Sequence, residues 1–191
     1  MRIAESITES IETKKRIIEN PDLIKMIGDV ATVCMDAFCN GQKVLFCGNG
    51  GSAADAQHLA AEFSGRFNFD RPPLPSEALH VNTSFLTAVA NDYSFDEVYS
   101  RMIKAIGKEG DVLIAISTSG NSKNIIRALE MAQETGLITV GMTGKTGGKI
   151  RDLCDYLINV PSDNTPRIQE SHIMIGHIIC EIVESSLFPL K

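Results

Sequence analysis

The sequence predicts an α/β fold in which a parallel sheet carries helices on both faces, preceded by a helical arm. Along residues 41–191, short apolar runs alternate with stretches of helical spacing. Two glycine- and serine-rich loops each follow directly on an apolar run, whereas residues 1–40 show helical spacing alone. Because parallel strands need crossover helices, this alternation is typical of a sheet between two helical layers. We expect a single domain over 1–191.

The N-terminal arm is predicted to contain two helices. Isoleucines recur at helical spacing before Pro21, and a second apolar series from Leu23 to Met35 follows it. Proline ends one helix but is tolerated in the first turn of the next, so the break is expected near Asn20-Pro21. These helices could cap the domain or pair with another subunit, and periodicity alone does not separate the two.

The core elements follow from apolar runs bounded by turn residues. Val44-Leu45-Phe46-Cys47 and Val112-Leu113-Ile114-Ala115-Ile116 are short and apolar, as is typical of buried parallel strands. Strands are predicted at 43–47, near 77–81, and at 111–116, 137–142 and 155–160. Helices are predicted at 52–66, within 83–106, at 122–135, after Gly147-Gly148 and at 166–187.

Composition excludes several classes of protein. The 24 Asp and Glu residues outnumber the 18 Lys and Arg residues, and a net charge of −6 gives no general attraction to nucleic acid or anionic membranes. The first 12 residues include acidic side chains where a signal peptide is apolar, and no apolar run reaches the about 20 residues of a membrane span. We therefore expect a cytoplasmic protein. The five scattered cysteines lack CxxC spacing, which favours buried free thiols.

Two loops indicate a phosphorylated ligand. Gly48-Asn49-Gly50-Gly51-Ser52 and Ser117-Thr118-Ser119-Gly120-Asn121-Ser122 each join a predicted strand to a predicted helix. Ligands of open α/β sheets bind at the carboxyl ends of strands, where helix N-termini offer free N–H groups and a positive dipole end. The alternative is a structural one, in which the glycines make tight turns and the hydroxyls cap helices.

A nicotinamide-binding site is a weaker interpretation of the first loop. Gly48, Gly50 and Ala53 fit a loose G-x-G-x-x-G/A pattern. Such a site needs an acidic residue at the end of the second strand to bind ribose. Asp70 is predicted to lie in a loop and Glu77 to precede that strand, so the pattern is incomplete.

Three further side chains suggest acid–base chemistry. His58 and Glu62 lie four residues apart on the helix opened by the first loop, so they share one face. Late in the chain, His177 lies inside an apolar run. Taken singly, the first two are an ordinary solvated pair and His177 a hydrogen-bonded core residue. The phosphate loops beside His58 and Glu62 favour a functional role instead.

The motifs Cys47-Gly48-Asn49-Gly50-Gly51-Ser52, Ile116-Ser117-Thr118-Ser119-Gly120-Asn121-Ser122 and Arg167-Ile168-Gln169-Glu170 occur in order, and with them the chain resembles the phosphoheptose isomerase family. This resemblance covers nearly the whole sequence. It implies the sugar isomerase (SIS) fold, a flavodoxin-like three-layer sandwich with five parallel strands, in homotetramers with active sites at subunit borders. It also implies the conversion of D-sedoheptulose 7-phosphate to D-glycero-D-manno-heptose 7-phosphate through an enediol, which opens heptose biosynthesis for lipopolysaccharide or capsule.

The resemblance also assigns roles to individual residues. Glu62 is the candidate base and His177 the candidate acid, and a zinc ion is expected on His58, Glu62, Gln169 and His177. Substrate contacts are expected from Asn49, Gly50, Gly51, Ser52, Glu62, Asn91, Asp92, Ser117, Thr118, Ser119, Ser122 and Gln169. Zinc coordination competes with basicity at Glu62, and both roles stay open. Pro166 stands where some relatives have an acidic residue, and whether this position contacts the sugar stays open.

Gln169 poses a geometric difficulty for a single metal site. On a regular helix it lies about 12 Å along the axis and about 80° around it from His177. A shared site therefore requires long reach, an irregular helix start or a neighbouring subunit.

The alternative function is a non-catalytic SIS module that binds phosphosugars or associates with a replication initiator. The ending Ser186-Leu187-Phe188-Pro189 resembles that of such a protein. Glu62 and His177 discriminate, because the binding module lacks this acid–base pair and the present chain keeps both residues.

Overall fold

The computed structural model describes residues 2–189, which form a five-stranded parallel sheet between two layers of helices. The strands are β1 (Val44–Gly48), β2 (Ser76–Ala78), β3 (Val112–Ile116), β4 (Ile138–Thr143) and β5 (Tyr156–Asn159). The helices are α1 (Arg2–Ile18), α2 (Pro21–Cys39), α3 (Gly51–Ser64), α4 (Thr83–Asp92), α5 (Val98–Ile106), α6 (Lys123–Thr135) and α7 (Thr165–Leu187). The predicted fold class is confirmed.

The strand order β2-β1-β3-β4-β5 brings the two predicted loops side by side. From β1 the chain moves outward to β2, then crosses to β3 on the other side of β1. The register pairs Val44 with Val112 and Gly48 with Ile116, so β1 and β3 end at the same level. Such a reversal of strand order opens a crevice at the carboxyl edge, where α/β proteins bind ligands.

Alternate residues of each strand pack into two separate hydrophobic cores, one on each face of the sheet. In β1, Phe46 packs in a cluster with residues of α2, α3 and α7, whereas Leu45 packs in a cluster with residues of α5 and α6. Neighbouring side chains of a strand point to opposite faces, so both faces of the sheet are covered. The layer made by α2, α3 and α7 carries the three candidate acid–base residues: His58 and Glu62 on α3, and His177 on α7.

Some predicted boundaries differ from the observed ones. Strand β2 covers only 76–78, rather than the predicted 77–81, because this edge strand pairs with β1 over three residues. Glu77 therefore lies inside the strand and not before it. The helices predicted within 83–106 are observed as α4 and α5, with a short 3-10 turn at Phe95–Glu97 between them, and the helix after Gly147 is of the 3-10 type.

The N-terminal arm breaks where Pro21 predicts. Asn20 caps α2, since its side-chain oxygen accepts a hydrogen bond from the Leu23 N–H at 3.1 Å. All five cysteines are free, and Cys39 is exposed, so the expectation of buried thiols is wrong for that residue. Within residues 2–189, no helix is both long and apolar enough to cross a bilayer.

Candidate active site

The loops after β1 and β3 are joined by a pair of amide side chains. Asn49 and Asn124 exchange two hydrogen bonds, each 2.8 Å long. The Tyr99 hydroxyl donates to the carbonyl oxygen of Gly48 and anchors the end of β1. The Asn49 amide, predicted to contact sugar, therefore already bridges the two loops. Sequence reasoning missed Asn124, although an asparagine in the first turn of the helix predicted at 122–135 is a usable signal; the structure shows that it is buried.

Both loops present helix N-termini that no side chain caps. Asn20 and Asn82 cap α2 and α4 with side-chain hydrogen bonds, but within the described chain α3 and α6 begin without one. The Ser117 and Ser122 hydroxyls lie 3.4 Å apart at the start of α6. Thr118 is half-buried and Ser119 is exposed beside them. Uncapped N–H groups with converging hydroxyls suit a phosphoryl group.

Gly50 and Gly51 lie at the start of α3, where the backbone conformation and the close approach of another side chain require glycine. Gly50 has φ +56°, a left-handed conformation that glycine adopts without strain. The Gln169 amide lies against the backbone of Gly51, where any Cβ atom would collide with it. Ser52 is buried directly behind this turn. Gln169 is thereby placed at the first turn of α3, next to the loop that was predicted to approach substrate.

Two turns further along α3, the side chains of His58 and Glu62 meet that of His177, which comes from α7. The His58 Nε2 atom lies 3.0 Å from Glu62 Oε1 and 3.0 Å from His177 Nε2. One ligand atom from each residue lies within 4.8 Å of the others. His58 is about half exposed and Glu62 about a quarter exposed, so the cluster is open to a ligand. A single protomer therefore brings together three of the four predicted metal ligands.

The close approach of α3 and α7 depends on Gly176. A Cβ atom at this position would lie 2.5 Å from Cδ1 and 2.6 Å from Cδ2 of the buried Leu59 side chain. Gly176 precedes His177, and Leu59 follows His58. The small residue thus lets the two helices pack closely enough for the imidazoles to meet.

We predict that Gly176→Ala separates the two histidines. The added methyl group must push Leu59 and α3 away, with a loss of about 1–3 kcal/mol in the free energy of unfolding. Denaturant unfolding measures this loss, and zinc titration measures the change at the cluster. In Leu59→Ala/Gly176→Ala the clash is removed, so the double variant should lose less stability than the sum of the single variants. Strict additivity would contradict the proposed contact.

The chemistry of the cluster fits a zinc ion. Two imidazole nitrogens and one carboxylate oxygen are common zinc ligands, and at metal–ligand distances of about 2.1 Å such atoms lie roughly 3.4 Å apart. The observed separations of 3.0 Å are slightly shorter. Gln169 lies toward the N-terminus of α7, about 12 Å along the axis from His177 on a regular helix. Gln169 and His177 lie on the same helix, α7, so the predicted separation between them still argues against Gln169 as a fourth ligand in one protomer.

Asp55 is a site residue that sequence reasoning missed. Burial raises the pKa of its carboxyl group, while the neighbouring His58 and His177 act in the opposite direction. Among the described residues, its Oδ2 atom is buried and has no hydrogen-bond partner. Its position three residues before His58 placed it on the same helical face, which was the available signal. The cluster therefore has a second carboxylate beside it.

Asn91 and Asp92 lie apart from these contacts. Both are exposed at the C-terminal end of α4, and the Asn91 amide donates to the Asp92 carboxylate at 2.9 Å. Their predicted role in binding substrate hydroxyls stays a prediction.

Comparisons with known proteins agree with this fold. Residues 4–144 match the SIS domain family. The chain is 58% identical to the phosphoheptose isomerase of Aneurinibacillus thermoaerophilus over 189 residues, covering 99% of this chain and 96% of that protein. It is 53% identical to the phosphoheptose isomerase of Clostridium acetobutylicum, with the same coverage. The structure of phosphoheptose isomerase from Neisseria gonorrhoeae superposes with a TM-score of 0.91 at 43% identity, over 96% of this chain and 97% of that one.

Proposed function

Because the chain belongs to the phosphoheptose isomerase family, we infer that it converts D-sedoheptulose 7-phosphate to D-glycero-D-manno-heptose 7-phosphate, the first step of heptose biosynthesis. The observation that carries this inference is the cluster formed by His58 and Glu62, on the helix that starts at the first loop, with His177 of α7. The second loop, with Ser117 and Ser122, receives the phosphoryl group. The first loop and Gln169 line the space between.

The reaction moves a proton between neighbouring carbons. Glu62 accepts the proton from the carbon beside the carbonyl group, which produces an enediol. His177 donates a proton to the carbonyl oxygen, and reversing these transfers at the neighbouring carbon gives the aldose. A carboxylate and an imidazole are suited to such transfers near neutral pH. The contact between His58 and both residues holds their side chains at one point.

We propose that one zinc ion binds His58, Glu62 and His177, with Gln169 as the fourth candidate. A bound zinc ion stabilises negative charge on the substrate oxygen atoms. Whether Glu62 serves as ligand, base or both is decided by comparing zinc affinity with turnover in variants of this residue. A cytoplasmic location is proposed with it, because the phosphorylated substrate does not cross a bilayer unaided.

The isomerase assay with sedoheptulose 7-phosphate tests the function directly. The purified protein should turn over this substrate. Chelation should lower the activity at least about 10-fold, and added zinc should restore it. Substrate without the phosphate group serves as the control and should react poorly. A folded protein that binds sugar phosphates without isomerising them would favour the non-catalytic SIS module instead.

We further propose that the protein is a homotetramer, because α1 and α7 present exposed apolar surface. Isoleucines 3, 7, 11 and 18 of α1 are exposed, and an apolar groove of about 410 Å³ lies between α1, α2 and α7. Contiguous apolar surface of this kind is rare on monomers. A second copy of the chain is the proposed occupant.

The variant Ile11→Glu is expected to shift the tetramer to smaller species, because it places a charge in the covered surface. Light scattering after size-exclusion chromatography measures the mass. Glu5→Lys is the matched control, since the helical repeat puts Glu5 on the opposite face of α1. An unchanged mass for Ile11→Glu would contradict this interface.

A further inference from the structure

A buried ion pair joins the two helices that carry the candidate acid and base. Arg71 lies in the segment between α3 and β2, and Glu184 lies near the end of α7. Their Nε and Oε1 atoms are 3.0 Å apart, and the two side chains are only 2% and 1% exposed. Burying two charges is unfavourable unless their remaining donors and acceptors are satisfied. The hydrogen bonds around this pair show what it holds.

Arg71 holds the C-terminal end of α3. Its Nη2 atom donates to the carbonyl oxygen of Glu62 at 2.7 Å, and its Nη1 atom donates to that of Phe63 at 2.7 Å and of Gly65 at 3.1 Å. The last carbonyl groups of a helix have no partners within the helix. A guanidinium group at this end also interacts favourably with the helix dipole. Arg71 thus fixes the backbone at Glu62 itself.

Glu184 holds the loop that follows α3. Its two carboxylate oxygens accept hydrogen bonds from the backbone N–H groups of Phe67 at 2.9 Å and Asn68 at 2.6 Å. Burial raises the pKa of Glu184, but these N–H groups and Arg71 outweigh that effect and hold the pKa below its ordinary value. The Phe67 ring, positioned by this loop, lies 5.6 Å from the His177 ring.

The same ion pair therefore reaches both members of the reacting pair. His177 and Glu184 are seven residues apart, close to two full turns, so they share one face of α7. On the other side, Arg71 contacts the backbone of Glu62. The connection runs from Glu62 through Arg71 and Glu184 to α7, and from Glu184 through Phe67 back to His177.

We propose that Arg71 and Glu184 are positioning residues for the isomerase reaction, because their ion pair sets the distance between Glu62 on α3 and His177 on α7. This proposal rests on the roles proposed above for Glu62 and His177. Both side chains are buried, so neither Arg71 nor Glu184 is placed to contact a substrate. Their effect is expected in zinc affinity and kcat, which depend on the cluster, and not in phosphate recognition at the β3 loop.

The double variant Arg71→Met/Glu184→Gln tests the proposal. It removes both charges together, so no unpaired charge is left in the core, and the glutamine oxygen can still accept from one of the two loop N–H groups. We expect the zinc dissociation constant to rise about 10–100-fold, as for other residues that orient metal ligands. We expect kcat to fall by at least about 10-fold and KM to change by less than about 3-fold.

The matched control is a second ion pair far from the cluster, in which Asp111 is buried and Lys43 is half-buried. Lys43 and Asp111 precede β1 and β3, at the edge of the sheet opposite the loops. Lys43→Met/Asp111→Asn should lower stability in denaturant unfolding but leave zinc affinity and kcat within about 2-fold of wild type. Equal losses of zinc affinity in both double variants would overturn the proposal, because the effect would then follow stability alone.

A conservative variant covers the case in which the double variant does not fold. Arg71→Lys keeps the positive charge beside Glu184 but cannot reach several carbonyl groups at once. It should show smaller losses of zinc affinity, kcat and stability than the double variant. Wild-type values of both would overturn the proposal. If the wild-type protein fails to isomerise the substrate, the proposed function falls, and zinc affinity alone then decides the positioning role.

Discussion

Replacing Glu62 with glutamine is expected to lower kcat for sedoheptulose 7-phosphate by about 10³-fold, since general acid–base groups contribute roughly 10²–10⁴-fold. Glutamine has nearly the same shape, so the helix and the contact with His58 are preserved while the basic oxygen is lost. Steady-state kinetics at saturating zinc measures the loss. His177→Asn should reduce kcat by at least about 10²-fold for the corresponding reason.

Glu181→Gln provides the control for these variants. Glu181 is an exposed carboxylate on α7, four residues beyond His177. Its removal should leave kcat and KM unchanged. Unchanged turnover in both Glu62→Gln and His177→Asn would refute the acid–base assignment. Thermal unfolding of each variant separates a loss of chemistry from a loss of fold.

Placing a carboxylate in the second loop should weaken substrate binding strongly. In Ser122→Asp the new charge lies beside Ser117, where the phosphoryl group is proposed to bind. Two like charges about 4 Å apart repel by about 4 kcal/mol at an effective dielectric constant of 20. We therefore expect KM to rise by at least about 100-fold, and inhibition by inorganic phosphate to weaken in parallel.

Two companion variants isolate the charge from other effects. Ser122→Ala removes only one hydroxyl donor and should raise KM by about 10-fold or less. Ser185→Asp adds the same charge at an exposed position near the end of α7 and should leave KM unchanged. A normal KM in Ser122→Asp would show that the phosphoryl group binds elsewhere.

Sequence patterns predicted the framework well because they report local physics. The strands β1 and β3 are continuous apolar runs, and Pro21 marks a helix boundary through its missing N–H group. Strand β2 was placed less accurately, since its length depends on how far β1 offers a partner. The helices predicted within 83–106 are observed as α4 and α5, and the 3-10 turn between them was not predicted.

Only part of the candidate site could be predicted from sequence patterns. His58 and Glu62 could be paired by their spacing on one helix, and the resemblance to a family added His177. Asn124 and the pair Arg71–Glu184 were missed, because each acts through a partner that the fold supplies, whereas Asp55 was missed although it shares a helical face with His58. A buried ion pair between residues 113 positions apart leaves no periodic signal in the chain.

The amino-acid order by itself determined the α/β class, the two anion-suited loops and the helix that carries His58 and Glu62. These features depend on backbone preferences and apolar spacing over a few residues. Tertiary structure alone decided that His177 meets His58 at 3.0 Å and that Gln169 lies at the first turn of α3 instead. The reason is that contacts between α3 and α7 depend on how closely the two helices pack, and the absence of a side chain at Gly176 leaves room for Leu59 at their contact.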